Sequence, residues 1–260
     1  MAQRVPQGPP ADPAVMRARV RYAKRGRLRF TSHRDFARAF ERALRRADVP
    51  MAYSSGFNPH PKISYLGATP TGVASEAEYL EIGLVQRIDL DVLRDQLDDA
   101  LPDGLDVLEV VEAAGGSLAD RMHGSLWRIQ LPGVEVAHAA DAVSRFLAAE
   151  QVLVSRMLKT GHRELDARAP VLSLEVTEDT RMNPASPGVH IAGCAILMLV
   201  VRQVTPAVRP DDVLAALGAV AGLALIEPPV AVRLAQGPLD GFGVIGDPLA
   251  VDRAAREASL

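Results

Sequence analysis

At 260 residues, 48% of them apolar, the chain is long enough to bury a sizeable core and to fold as two ordinary domains. Its single cysteine, Cys194, excludes an internal disulfide and the multi-thiolate zinc and iron–sulfur sites. No run of about 18 uncharged apolar residues is present, so a soluble cytoplasmic protein without membrane contact is expected. The net charge of -3 hides an asymmetry: residues 16–65 hold 13 Lys and Arg against Asp35, Glu41 and Asp48, a net +10, which leaves -13 for residues 66–260. Phosphate responds to local potential, so a concentrated basic stretch attracts a polyanion even when the whole chain is acidic.

Residues 1–15, rich in Pro, Gly and Gln, cannot build a core and read as a disordered arm. From Met16, Val20 and Tyr22, then Leu28 and Phe30, alternate with basic residues on either side of Gly26. This predicts a strand or short hairpin with one wet face. Ser32 is placed as a helix N-cap with Asp35 in the first turn, where a carboxylate favours the positive end of the helix dipole. Over 33–47, Phe36, Phe40, Ala43, Leu44 and Ala47 recur at three- and four-residue spacing, with Arg34, Arg38, Arg42, Arg45 and Arg46 on the remaining faces. An amphipathic helix with an arginine face follows.

Strands are predicted at 51–54, 62–66, 79–85 and 105–111, with a helix over 89–101. The second half repeats the order: strand 126–131, helix 139–149, strands 152–157, 171–176 and 189–202, helix 211–220 and strand 230–235. The expected fold class is α+β, two tandem ferredoxin-like (βαββαβ) domains. A basic one spans 16–115 and an acidic one 118–236, joined near Gly115 and Gly116, with a Gly-rich tail over 237–260. Cys194, in an apolar strand, reads as a buried thiol.

Three segments carry candidate chemistry. The run Tyr53-Ser54-Ser55-Gly56-Phe57-Asn58-Pro59-His60-Pro61-Lys62 forms a polar loop between strands, pre-shaped because Pro59 and Pro61 fix their own φ and push Asn58 and His60 to extended geometry. His60 is read either as a phosphate, base or acid–base contact or as a hairpin residue serving a backbone carbonyl, and Lys62 as a phosphate partner. Glu76 and Glu78, two apart on a strand, can share a face as an acid–base pair or form a solvated strand end. The charged loop 159–168, with Lys159, Arg163, Asp166 and Arg168, is a candidate cleft lining in the second domain. Walker, dinucleotide, GxSxG and HExxH patterns are absent, and no metal or cofactor is expected.

The segments Leu28-Arg29-Phe30-Thr31-Ser32-His33-Arg34-Asp35, Phe40-Glu41-Arg42-Ala43-Leu44-Arg45-Arg46-Ala47, Gly56 through Ser64, and Gly72 with Ser75-Glu76-Ala77-Glu78-Tyr79-Leu80-Glu81 resemble the radical-SAM-linked family DUF2344. The resemblance is specific over residues 18–112 and looser through 159–168. It implies an accessory to radical SAM chemistry, since the chain lacks the CxxxCxxC cluster motif. The arginine helix and the following loop are also similar to the ferredoxin-like CRISPR repeat-processing endoribonucleases, a likeness of fold that carries no function by itself. It adds the expectation of RNA on a sheet or cleft of the tandem ferredoxin-like domains, where basic and aromatic residues bind single strands.

The expected function is therefore a non-catalytic, RNA-associated accessory protein. Its RNA, tRNA or rRNA, contacts Arg29, His33, Arg34, Arg38, Arg42, Arg45, Asn58, His60 and Lys62, and a radical SAM or RNA-processing enzyme is the expected protein partner. Two alternatives stand beside it: a metal-free RNA-processing or RNA-modifying enzyme using His60 and Glu76, and a scaffold for a radical SAM partner.

Overall fold

The structure, a computed structural model, describes residues 12–55, 57–158, 161–178 and 194–258. Most of the predicted arm, Gly56, Lys159 and the start of the strand predicted at 189–202 lie outside them. The protein is α+β and divides into two compact units. One runs to Asp120 and takes in the segment from Pro248; the other is Arg121–Asp247.

The first unit opens with β1 (Met16–Lys24), a 3-10 turn (Gly26–Phe30) and α1 (His33–Arg46). There follow β2 (Ile63–Leu66), β3 (Ala74–Leu84), α2 (Leu90–Ala100) and β4 (Val107–Glu112). Within the unit β1 pairs antiparallel with β3 and β4, and β2 with β3, which gives the order β4-β1-β3-β2. The apolar stripe of α1 lands as its spacing requires: Phe36, Phe40, Ala43 and Leu44 are buried against Val20, Leu80 and Ile82 of the sheet and Leu93 and Leu97 of α2. Phe40 is fully buried, and replacing it with Ala would cost about 3–5 kcal/mol. Ser32 caps α1 as predicted, its side chain accepting from the Asp35 backbone N–H at 3.2 Å. Asp89 does the same for α2, accepting from Asp91 and Val92.

Three local expectations change here. The 51–54 strand is reduced to isolated bridges, Met51 with Leu84 and Tyr53 with Pro61. Leu28 and Phe30 lie in a 3-10 turn rather than a second strand, because Gly26 takes φ +52° and turns the chain out of the sheet. Arg19, alternating with Val20, does not face water: it is completely buried.

The second unit contains β5 (Gly124–Leu131), α3 (Val136–Ala148), β6 (Leu153–Leu158), β7 (Gly161–Asp166), β8 (Val171–Glu178), β9 (Ala195–Arg202), α4 (Pro210–Ala221) and β10 (Val230–Gly237). Its main sheet is antiparallel in the order β10-β5-β9-β8, while β6 and β7 form a separate hairpin. Cys194 is buried, as its apolar setting predicts, and lies 3.2 Å from the Gln130 side-chain nitrogen. The polar stretch read as a loop over 159–168 is, in its described part, strand β7 and its exit. Pairing with β6 supplies the backbone bonds that its exposed, charged side chains give no hint of.

Residues 237–260 are not simply a tail. They include α5 (Ala250–Glu257), which belongs to the first unit. Asp252 of α5 is buried and accepts from Arg19 at 2.6 Å, while Glu81 accepts from the same guanidinium at 3.0 Å and the Gly116 carbonyl at 2.7 Å. Arg253 pairs with Glu109 at 2.6 Å and Arg256 with Asp91 at 3.2 Å. The sheet of the first unit has buried side chains on both faces, although Arg17 and Ser64 at its margins stay exposed. Val20, Leu80 and Ile82 lie on the helical side, and Arg19, Ala77, Tyr79 and Val111 on the other.

Candidate nucleic-acid interface

The basic stretch of sequence divides into interior and exterior arginines. Besides Arg19, Arg17 meets Glu81 at 3.3 Å and Arg21 donates to the Glu76 carbonyl at 3.0 Å. Arg25 grips the Glu76 carboxylate with two nitrogens and Asp106 with a third at 2.6 Å. These contacts neutralise β1 locally and leave little charge for a ligand.

The exterior set is on α1. Arg34, Arg38, Arg42 and Arg45 are all exposed and follow one another at intervals of four, four and three residues, which places them along one stripe about 16 Å long. Opposing charge is weak. Asp35 and Glu41 stand 4.0 Å from Arg38 and Arg45, and among the described residues Arg34 and Arg42 have no acidic partner. Arg46 turns away and donates to the Ala100 carbonyl at 3.0 Å. The row is possible because the opposite face of α1 is fully committed to the core, which leaves only polar positions outside.

At the N-terminal end of the row lie Arg29, Phe30 and His33. The Arg29 guanidinium stacks 4.8 Å from the centre of the Phe30 ring, and its Nε is buried with no hydrogen-bond partner among the described residues. Phe30 itself is 59% exposed. His33 is exposed and meets Tyr65 edge to face at 5.0 Å; Tyr65 in turn packs on Phe36 at 6.0 Å. Burial, with Glu41 nearby, pushes the Tyr65 phenol well above its ordinary range, so this ring is a neutral prop for His33.

The Gly56–Lys62 segment forms a tight hairpin in its described part. The Ser54 N–H donates to the His60 carbonyl at 2.8 Å and the His60 N–H to the Ser54 hydroxyl at 3.0 Å, so the His60 backbone is tied down while its ring is exposed. Phe57 and Asn58 are exposed at the tip. Lys62 pairs with Gly83 through the backbone, and its Cβ lies on the side a Gly83 side chain would occupy, the sheet face away from α1. Lys62 is therefore not part of the arginine row.

His60 and Glu76 are not brought together. Lys62 sits beside Gly83, seven residues along β3 from Glu76, a separation of about 23 Å. Glu76 is held by Arg25, and its expected companion Glu78 is only 1% exposed, accepting the Thr69 N–H at 3.1 Å. Lys24, also buried, donates to the carbonyls of Thr69 and Pro70 at 3.4 and 3.3 Å. These groups pin the 67–73 loop from beneath rather than forming a solvated strand end.

In the second unit, Arg163 and Asp166 line a cleft of ≈ 480 Å³ together with Arg202, Thr205, Pro206 and Val208. Arg168 serves the fold instead, donating to the carbonyls of Val171 at 3.1 Å and of Leu147, in the last turn of α3, at 3.3 Å. Asp166 accepts the N–H groups of Val152 and Arg168. Arg156 is the anchor that sequence reasoning missed: it pairs with Asp212 at the start of α4 and donates to the Ala207 carbonyl at 3.0 Å. Its partner lies 56 residues away, so no local pattern marks it.

Comparison with known families bears on the same residues. The family described as "Uncharacterized protein conserved in bacteria (DUF2344)" matches residues 17–210, well over half of the chain. The chain belongs to DUF2344. The match runs beyond the first unit through β9 to the first residue of α4, and it contains the arginine row, the 53–62 hairpin and the β6–β7 hairpin of this DUF2344 protein. No curated protein matches it. Among the described residues no helix is long and apolar enough to cross a membrane, and no cluster of three His, Cys, Asp or Glu could hold a metal ion.

Proposed function

We propose that this protein is a non-catalytic accessory of the cytoplasm that binds RNA along α1, with the chemistry supplied by a partner enzyme. The observation that carries the reading is the exposed row Arg34, Arg38, Arg42 and Arg45, with only two weakly placed acids beside it. A row of guanidinium groups spaced by one helical turn suits a run of phosphates, and their entry releases counterions from the RNA. The separation of His60 from Glu76 favours binding over acid–base catalysis by that pair. The 53–62 hairpin, with Asn58 and His60 exposed on a tied backbone, is read as a second polar contact.

The same reading takes each unit as a ferredoxin-like module. In support, β1-α1-β2-β3-α2-β4 has the strand order 4-1-3-2 with all pairs antiparallel. Once the β6–β7 hairpin is set aside as an insertion, β5-α3-β8-β9-α4-β10 has that order too.

Ultraviolet crosslinking in cells tests the function. RNA, with tRNA and ribosomal RNA the first species to look for, is expected to be recovered with the wild-type protein. It is expected to be lost when Arg34, Arg38, Arg42 and Arg45 are all changed to Ala. Equal recovery with both would overturn the reading.

A further inference from the structure

We infer that Phe30 is a base-stacking platform at the N-terminal end of the arginine row, so that the ligand is a single strand with an unpaired base at that end. The inference rests on the RNA reading of α1 and adds the class of nucleic acid and a residue that makes the choice.

Isolated exposed apolar side chains are ordinary and mark nothing by themselves. Phe30 differs in three ways. It is 59% exposed yet held in a fixed pose, with the Arg29 guanidinium stacked at 4.8 Å and its ring close against Gly72, where an added Cβ would lie 3.8 Å from Phe30. The Gly72 N–H donates to the Arg29 carbonyl at 2.8 Å, which clamps the 3-10 turn to the 67–73 loop and fixes the ring relative to α1. Finally, Arg29 carries an Nε donor that is buried without a partner among the described residues, beside an arginine row that begins five residues on at Arg34. A rigid aromatic ring backed by a guanidinium offers π surface to any base, and the adjoining charges hold the backbone that carries the base.

The structure also says where such a strand does not lie. Sheet-surface recognition needs exposed aromatic residues on a strand face, whereas in the β4-β1-β3-β2 sheet Tyr22 and Tyr79 are only 4% and 3% exposed and Tyr65 is half-buried against Phe36. The helix and the turn that leads into it are what remains. A duplex keeps its bases stacked inside, so it can offer the arginines phosphate and 2′-hydroxyl groups but no open base face to Phe30.

The test uses the full chain and three labelled probes of equal length, in fluorescence anisotropy at low salt: a base-bearing RNA single strand, a strand built from abasic spacers with the same charge, and an RNA duplex. The base-bearing strand is expected to bind about tenfold more tightly than the abasic one. Phe30→Ala should erase that preference and Phe30→Trp should keep it, with the melting temperature of both unchanged. If wild-type protein binds base-bearing and abasic strands equally, prefers the duplex, or keeps its preference in Phe30→Ala, the stacking inference falls while RNA binding stands. If it binds none of the three, the RNA reading itself falls, and the surface belongs to a protein.

Discussion

The arginines of β1 and those of α1 arise from one basic stretch of sequence and meet opposite fates. Arg19 is fully buried and spends its guanidinium on Glu81, Asp252 and the Gly116 carbonyl, whereas Arg34, Arg38, Arg42 and Arg45 are exposed and make at most 4.0 Å pairs with their neighbours. The difference lies in where the acids are. The partners of Arg19 come from β3 and from α5, up to 233 residues away, while α1 carries only Asp35 and Glu41 among its five arginines. Composition alone therefore overstates the charge that a ligand can reach. Burial separates structural arginine from arginine available for recognition.

The comparison breaks most visibly at Arg19. Arg19→Ala breaks the buried ion pair with Asp252, which keeps its bond from the Ala114 N–H, and should cost about 3–5 kcal/mol, read as a lower midpoint in urea denaturation, with RNA affinity of the remaining folded protein unchanged. A smaller effect is expected at Ser32→Ala. It removes the cap from the end of α1 where Phe30 and His33 sit and should cost about 1 kcal/mol in the same measurement. Smallest on stability is Arg38→Ala, whose pair with Asp35 is long and solvent-exposed. A change of no more than about 0.5 kcal/mol is expected, with a measurable loss of RNA affinity. A large destabilisation by Arg38→Ala would move it from the recognition set to the structural one.

What was legible in the sequence was what local spacing records. α1 could be read because Phe36, Phe40, Ala43 and Leu44 keep helical spacing behind a Ser32 cap, and each kept its place in the core. β7 escaped notice because Gly161, His162, Arg163 and Glu164 are exposed, and only pairing with β6 makes a strand of them. α5 escaped for a related reason. Its buried anchor is Asp252, a carboxylate, so it shows no apolar stripe, and the arginine that makes burial tolerable is at the far end of the chain.

The candidate site divides the same way. The arginine row was visible as a periodicity, but the position of Lys62 on the other face of the sheet depends on register with Gly83, and the Arg25–Glu76 pair on a contact across 51 residues. Phe30 was read as one tooth of a strand-like alternation. Only the turn at Gly26 and the clamp to Gly72 show it as an exposed ring at the head of α1.

The most direct test of the division between structural and recognition arginines is the salt dependence of binding to a single-stranded RNA, compared between wild type and the Arg34/Arg38/Arg42/Arg45→Ala variant. If all four take phosphates, the plot of log affinity against log salt should be shallower in the variant by about 3, with stability little changed. Equal slopes in the two proteins would place the phosphate contacts elsewhere and contradict the account.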